Sequence, residues 1–190
     1  MSKVILVTGG ARSGKSTYAE NLLNGKENVL YIATAVAYDE EMKERIKLHQ
    51  AQRTKDWETL EAFDGLDRHL KERGLRYDGI LLDCITVMIT NLLFSREDFD
   101  ENEFTKDFWS SFENEVILKL KKLMEEAKST TETFIMVTNE IGMGLVPETY
   151  FSREFRDCAG RINQFLAREA DEVYFLVSGI PMKIKEKNCS

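Results

Sequence analysis

The chain begins Met1-Ser2-Lys3 and then runs Val4-Ile5-Leu6-Val7-Thr8-Gly9-Gly10-Ala11-Arg12-Ser13-Gly14-Lys15-Ser16-Thr17. A short apolar run enters a glycine-rich turn, and an amphipathic stretch leaves it. Gly9, four residues, then Gly14-Lys15-Ser16 fit the G-x4-G-K-[ST] pattern of a P-loop, in its required strand-before, helix-after setting. Glycine lets the backbone curl so that successive N–H groups face one point, where a phosphate is held. Lys15 supplies a charge for the outer phosphates, the Ser16 hydroxyl a ligand for magnesium, and the following helix its positive dipole end. The pattern demands a parallel strand whose carboxyl end opens onto a ligand, so it restricts the fold before any other element is considered.

The rest of the sequence agrees with an α/β fold. Apolar runs at Val4 to Val7, Val29 to Ala33, Gly79 to Leu82, Thr133 to Val137 and Glu172 to Val177 read as strands. Helical patterns lie between them at Lys15 to Leu23, Glu40 to Arg53, Leu66 to Arg73, Thr86 to Phe94, Phe104 to Lys128 and Phe151 to Ala170. Strands separated by helices imply crossovers and a largely parallel sheet covered on both faces. Pro181 to Lys185 alternates apolar and basic residues and reads as an antiparallel edge. The expectation is a P-loop NTPase fold of the RecA-like kind, with residues 1–190 forming a single nucleotide-binding domain. No Gly/Ser linker or repeat divides the chain.

Composition excludes some classes. The 190 residues are 43% hydrophobic and 31% charged, a globular mix. A net charge of −7 argues against nucleic acid as a partner. No apolar run approaches a membrane span, and the start of the chain is too quickly interrupted for a signal peptide. Cys84, Cys158 and Cys189 are scattered and odd in number, so neither a disulfide framework nor a zinc site is indicated. A cytoplasmic protein with reduced thiols is expected.

Two further features carry chemistry. The run Gly79-Ile80-Leu81-Leu82-Asp83 ends an apolar strand in a carboxylate, as a Walker B strand does, where the acid holds magnesium or its water. No Asn-Lys-x-Asp signature for guanine occurs. In a helix over Glu40 to Arg53, Arg45, His49 and Arg53 fall on one stripe. His49 then borders an apolar and a cationic face. It reads either as a boundary histidine or as a nucleophile, since a neutral imidazole can attack an α-phosphorus and expel pyrophosphate. Asn139 and Glu140, in "TNEIGMG", read either as ligand contacts or as loop structure. Arg153, Arg156 and Arg161 read as salt-bridge formers, and His69 as a surface helix residue.

These segments together resemble the bifunctional adenosylcobinamide kinase / adenosylcobinamide-phosphate guanylyltransferase family. The resemblance is carried by "LVTGGARSGKSTYAE" (Leu6 to Glu20), "LYIATA" (Leu30 to Ala35), "DEEMKERIKLHQAQR" (Asp39 to Arg53) with "WETLEA" after it, "LLDCITVMITNLLF" (Leu81 to Phe94), "VTNEIGMGLVPE" (Val137 to Glu148), "FRDCAGRINQ" (Phe155 to Gln164) and "ADEVYFLVSGIPMKIK" (Ala170 to Lys185). It implies two reactions: phosphorylation of adenosylcobinamide, then transfer of GMP from GTP to the resulting phosphate, giving adenosylcobinamide-GDP and pyrophosphate. His49 matches the family's guanylyl-carrying histidine. Gln50, Ala51 and Gln52 depart from the usual "HHKDGR"-like pattern, while Arg53 is kept. Asp83 stands where relatives commonly have glutamate.

The resemblance assigns the nucleotide site to Gly9, Gly10, Ala11, Arg12, Ser13, Gly14, Lys15, Ser16, Ala33, Thr34, Ala35, Gln50, Ala51, Gln52, Arg53, Glu61 and Asp83, with Ser16 and Asp83 toward Mg2+. It implies GTP and ATP as substrates, adenosylcobinamide and its phosphate as partners, and a homotrimer. From the residues alone, a monofunctional P-loop kinase or a nucleotide-dependent binding module remain alternatives.

Overall fold

The computed structural model describes residues 2–36, 57–97, 99 and 104–187. The predicted helix Glu40 to Arg53, with His49 and Gln50 to Arg53, lies outside the described residues, as does Cys189.

Among the described residues seven strands form one sheet: β1 (Lys3–Gly9), β2 (Val29–Ala33), β3 (Glu58–Glu61), β4 (Gly79–Asp83), β5 (Thr133–Asn139), β6 (Glu172–Val177) and β7 (Ile180–Glu186). Their order is β3-β2-β4-β5-β1-β6-β7. Neighbours among the first six are parallel, and β7 alone runs antiparallel, against β6. The expected antiparallel edge is therefore present. Ser178 and Gly179 join β6 to β7, both with positive φ (51° and 83°), the left-handed pair that suits a two-residue hairpin.

Among the described residues five helices connect the strands: α1 (Lys15–Asn21), α2 (Leu66–Arg73), α3 (Ile85–Phe94), α4 (Lys106–Thr130) and α5 (Tyr150–Glu169). Strand alternation explains the layering. Val4 and Leu6 face a core built with α2 to α5, whereas Ile5 and Val7 face Ala19 and Leu23 on the α1 side. The first core is the larger and holds Trp109, Phe112 and Phe134, all fully buried. Burying side chains of this size stabilises the fold by about 1.5–3 kcal/mol each. Thr105 and Thr149 cap α4 and α5, accepting from the backbone N–H of Phe108 and Ser152, about 1 kcal/mol apiece.

Three sequence expectations need correction. The strand β3 was not predicted, because it is four residues long and only Leu60 is buried. It is an edge strand pinned from α2, where Arg73 pairs with Glu58, and from Tyr77, whose hydroxyl donates to the same carboxylate at 3.0 Å. The first helix stops at Asn21 rather than Leu23; Leu23 N–H turns back to the Glu20 carbonyl in a tighter closing turn. The strands β1 and β5 run two residues further than predicted, to Gly9 and Asn139, and this carries polar residues to the carboxyl edge.

Candidate active site

The carboxyl ends of β1, β4 and β5 meet at one edge of the sheet. α1 leaves toward one face there and α3 and α5 pack on the other, the place where open α/β sheets bind ligands.

The loop from Gly9 to Ser16 follows β1 directly. Its shape is enforced by its neighbours. A Cβ on Gly9 would stand 2.6 Å from the Leu176 carbonyl oxygen, so the loop presses against β6. Gly14 has φ of 90°, and a Cβ there would lie 3.3 Å from the Cα of Gly179. Gly179 N–H in turn donates to the Ser13 carbonyl at 3.0 Å. The β6–β7 hairpin thus braces the loop from outside. Arg12, at φ of 55°, takes the left-handed turn without being glycine and is exposed.

Lys15 is buried, and its ammonium donates to the Gly10 carbonyl oxygen at 2.5 Å and to Ser13 Oγ at 3.5 Å. Burial lowers its pKa from the ordinary lysine value, with Cys84 and Asp83 acting in the opposite direction. A partly desolvated cation folded over its own loop is prepared to exchange a carbonyl for an anionic oxygen. Ser16, in the first turn of α1, is half-buried.

Asp83 ends β4. Tyr31, on β2, donates its hydroxyl to Asp83 Oδ2 at 2.9 Å, fixing the carboxylate. Beyond it, the Thr34 side chain closes a reciprocal pair with the backbone of Cys84: Cys84 N–H donates to Thr34 Oγ1, and that hydroxyl donates to the Cys84 carbonyl, both at 2.8 Å. Asn91 of α3 donates to the Thr34 carbonyl at 2.6 Å. Thr34 therefore spends its hydroxyl on the scaffold. Cys84 is buried, and burial followed by the Asp83 charge pushes its thiol up to about 12, so it is an inert thiol.

The sheet brings Gly9 to Ser16, Asp83, Ala33, Thr34 and Ala35 to one edge. Glu61 reaches the same edge, but well to the side of the loop. Glu61 lies opposite Ala33 at the end of β3, four strand spacings from Gly9, roughly 19 Å. Tyr31, Asn91 and Gly179 carry no signal of their own in the sequence, although they sit inside the segments "LYIATA", "LLDCITVMITNLLF" and "ADEVYFLVSGIPMKIK". Arg161 pairs with Glu113 at 2.5 Å and Arg156 with Asp157 at 3.0 Å. Arg153 donates to the carbonyls of Pro147 and Glu148. His69 is exposed on α2.

This fold and loop define a P-loop α/β protein of the nucleotide-binding class. A solved structure of an ATPase from the type III secretion system of pathogenic bacteria superposes with a TM-score of 0.51 at 13% identity, covering 92% of this chain and 51% of that one. Residues 5–184 match the family described as cobinamide kinase / cobinamide phosphate guanyltransferase, and the chain belongs to that family. The chain is 45% identical over 182 residues to the bifunctional adenosylcobalamin biosynthesis protein CobU of Salmonella typhimurium, covering 96% of this chain and 99% of the relative. It is 43% identical to CobU of Escherichia coli, with the same two coverages. The corresponding CobP protein of Pseudomonas aeruginosa is 36% identical, with 95% and 96% covered. The family's two activities, kinase and guanyltransferase, belong to cobalamin biosynthesis.

Proposed function

We propose that this chain phosphorylates adenosylcobinamide and then transfers GMP from GTP to adenosylcobinamide phosphate through a guanylyl-His49 intermediate. The carrying observation is the braced loop Gly9 to Ser16 with a buried Lys15, in a chain that matches the family over residues 5–184. Gly9, Gly10, Ala11, Arg12, Ser13, Gly14, Lys15 and Ser16 hold the triphosphate of ATP or GTP. Ala33, Thr34 and Ala35 form the wall beside it. Glu61, too far from the loop to touch phosphate, serves the nucleoside end, together with Gln50, Ala51, Gln52 and Arg53.

In the kinase step the hydroxyl oxygen of adenosylcobinamide attacks the γ-phosphorus. The bond to the bridging oxygen breaks, and the nucleoside diphosphate leaves. In the second reaction a nitrogen of His49 attacks the α-phosphorus of GTP and pyrophosphate departs. A phosphate oxygen of adenosylcobinamide phosphate then displaces the histidine, breaking the N–P bond and yielding adenosylcobinamide-GDP. The charge of Lys15 offsets the negative charge of the leaving phosphates in both reactions.

The residues fit magnesium. Among the described residues no group of three or more His, Cys, Asp or Glu side chains forms a metal cage. Asp83, with one oxygen occupied by Tyr31, and the Ser16 hydroxyl offer the one or two hard oxygen ligands that suit a magnesium ion carried by nucleotide phosphates. When bound, Mg2+ would neutralise charge on the phosphates.

No helix among the described residues is long and apolar enough to cross a membrane. The scattered cysteines, odd in number, favour a cytoplasmic enzyme with reduced thiols. One sheet drawing on both ends of the described chain supports a single domain over residues 1–190. The exposed Ile180, Met182 and Ile184 on the edge strand β7 support a homo-oligomer, a trimer by the resemblance.

Product analysis tests the reading. Adenosylcobinamide with ATP should give the phosphate, and further GTP should give adenosylcobinamide-GDP. With His49→Ala the first product should persist and the second should vanish. Loss of both, or of neither, would refute the division of labour.

A further inference from the structure

A closed circuit of buried side chains lies behind the carboxyl end of β5. Asn139 N–H donates to Thr86 Oγ1 at 2.8 Å. The hydroxyls of Thr86 and Thr138 are 3.2 Å apart. Thr138 Oγ1 donates to Asn163 Oδ1 at 2.8 Å, and Asn163 Nδ2 donates to the Asn139 carbonyl at 3.1 Å. Counting protons fixes the direction. The Thr138 hydrogen is committed to Asn163, so Thr86 must be the donor to Thr138. The circuit therefore starts at Asn139 N–H, passes through Thr86, Thr138 and Asn163, and returns to the Asn139 carbonyl.

The position of the circuit follows from register. The strand β4 ends opposite Val137, whereas β5 continues to Asn139, opposite Gly9. Asn139 therefore has no ladder partner on the β4 side, and the circuit supplies bonds that the sheet cannot. Thr138, fully buried, points to the face covered by α3 and α5. By alternation Asn139 points the other way, with Val137, to the face that carries α1, Lys15 and Asp83. Its Nδ2 lies 3.9 Å from Cys84 Sγ, the residue after Asp83. The next residue is tied to the loop as well, since Glu140 N–H donates to the Gly9 carbonyl at 3.0 Å. The half-buried Asn139 amide thus stands between the glycine loop and Asp83, and its backbone is gripped from behind by residues that never reach the site.

We infer that the Asn139 amide donates to the terminal phosphate during phosphoryl transfer, and that Asn163, Thr138 and Thr86 are positioning residues acting through it. This rests on the reading of Gly9 to Ser16 as a triphosphate site. The loop's own contacts do not pass through the circuit, so breaking the circuit should spare nucleotide affinity and lower the rate of transfer.

The test is a double-mutant cycle on kcat for phosphoryl transfer to adenosylcobinamide, with Kd for GTP by calorimetry and Tm measured alongside. Asn139→Ala and Asn163→Leu should each lower kcat about tenfold or more, as misplacement of a contact group does. The double variant should be no slower than Asn139→Ala alone, with Kd constant within about twofold. Thr138→Val should behave as Asn163→Leu does, and Thr138→Ser, which keeps the hydroxyl, should restore kcat. Multiplying losses in the double variant, or a lowered Tm with kcat intact in Asn163→Leu and Thr138→Val, would overturn the inference. If the unaltered protein fails to bind GTP, the underlying triphosphate reading falls and takes this one with it. Binding with independent losses defeats this inference alone.

Discussion

Lys15 is bonded to a carbonyl of the loop that it serves: its ammonium donates to Gly10 at 2.5 Å while the residue is buried. A cation held this way has lost much of its water and has gained only neutral oxygens among its hydrogen-bond partners. Its lowered pKa, set first by burial, expresses the same tension.

Stability and activity should therefore move in opposite directions at this position. Lys15→Met keeps the volume and removes the buried charge. The ligand-free protein should gain about 1 kcal/mol, or roughly 2–4 °C in Tm. Both activities should fall about 100-fold or more, because the phosphates lose their cation. Thermal melts without nucleotide and initial rates check the two halves separately.

The two glycines that open the loop should respond differently. Gly9→Ala places a methyl against the Leu176 carbonyl, a backbone atom that cannot rotate away, at a φ of 153°. A loss of about 2 kcal/mol or more is expected. A Cβ on Gly10 meets nothing within 4 Å, so Gly10→Ala should melt with the unaltered protein. Denaturant midpoints for the pair read this contrast directly.

The Thr34–Cys84 clamp should depend on the hydroxyl rather than on shape. Thr34→Val matches the volume but leaves the Cys84 N–H and carbonyl unpaired in a buried place. It should cost about 2–4 kcal/mol. Thr34→Ser, which keeps both bonds, should recover most of this in urea unfolding.

Glu172 gives the fold an acid-sensitive contact. Burial pushes its pKa up, but hydrogen bonds from Lys3, Lys183 and Tyr174 outweigh that and hold it at about 2, below the ordinary 4.5. A depressed carboxyl pKa stabilises the fold above the unfolded value, and that stability is lost as pH falls through the folded one. Relative to Glu172→Gln, the unaltered protein should be about 1–2 kcal/mol more stable at neutral pH, discounted because Lys3 is half exposed. That advantage should shrink below pH 4.5 and disappear near pH 2. Unfolding free energies of both proteins at several pH values check the slope.

What could be read in the sequence was local. The loop Gly9 to Ser16 carries its own pattern, and Asp83 ends a continuous apolar run, so both were visible without knowing which strands are neighbours. Tyr31 was not, because its partner Asp83 is 52 positions away and the pair exists only once β2 lies beside β4. The same holds for Thr86, Thr138 and Asn163, which come from three elements and meet only behind β5. The strand β3 was missed for a different reason: with Leu60 alone buried, it has too little alternation to register as a strand. Ala33, Thr34 and Ala35 were assigned by resemblance, and the folded chain adds that the hydroxyl of Thr34 faces the scaffold.

In the proposed reaction one chain holds a triphosphate and passes its guanylate to the imidazole of His49. Intact mass measurement of the protein after incubation with GTP, followed by peptide mapping, tests it most directly. The expected result is one added guanylate per chain, carried on the peptide containing His49, labile to acid and stable to alkali, and absent from His49→Ala. No added mass, or a guanylate on another side chain, would contradict it.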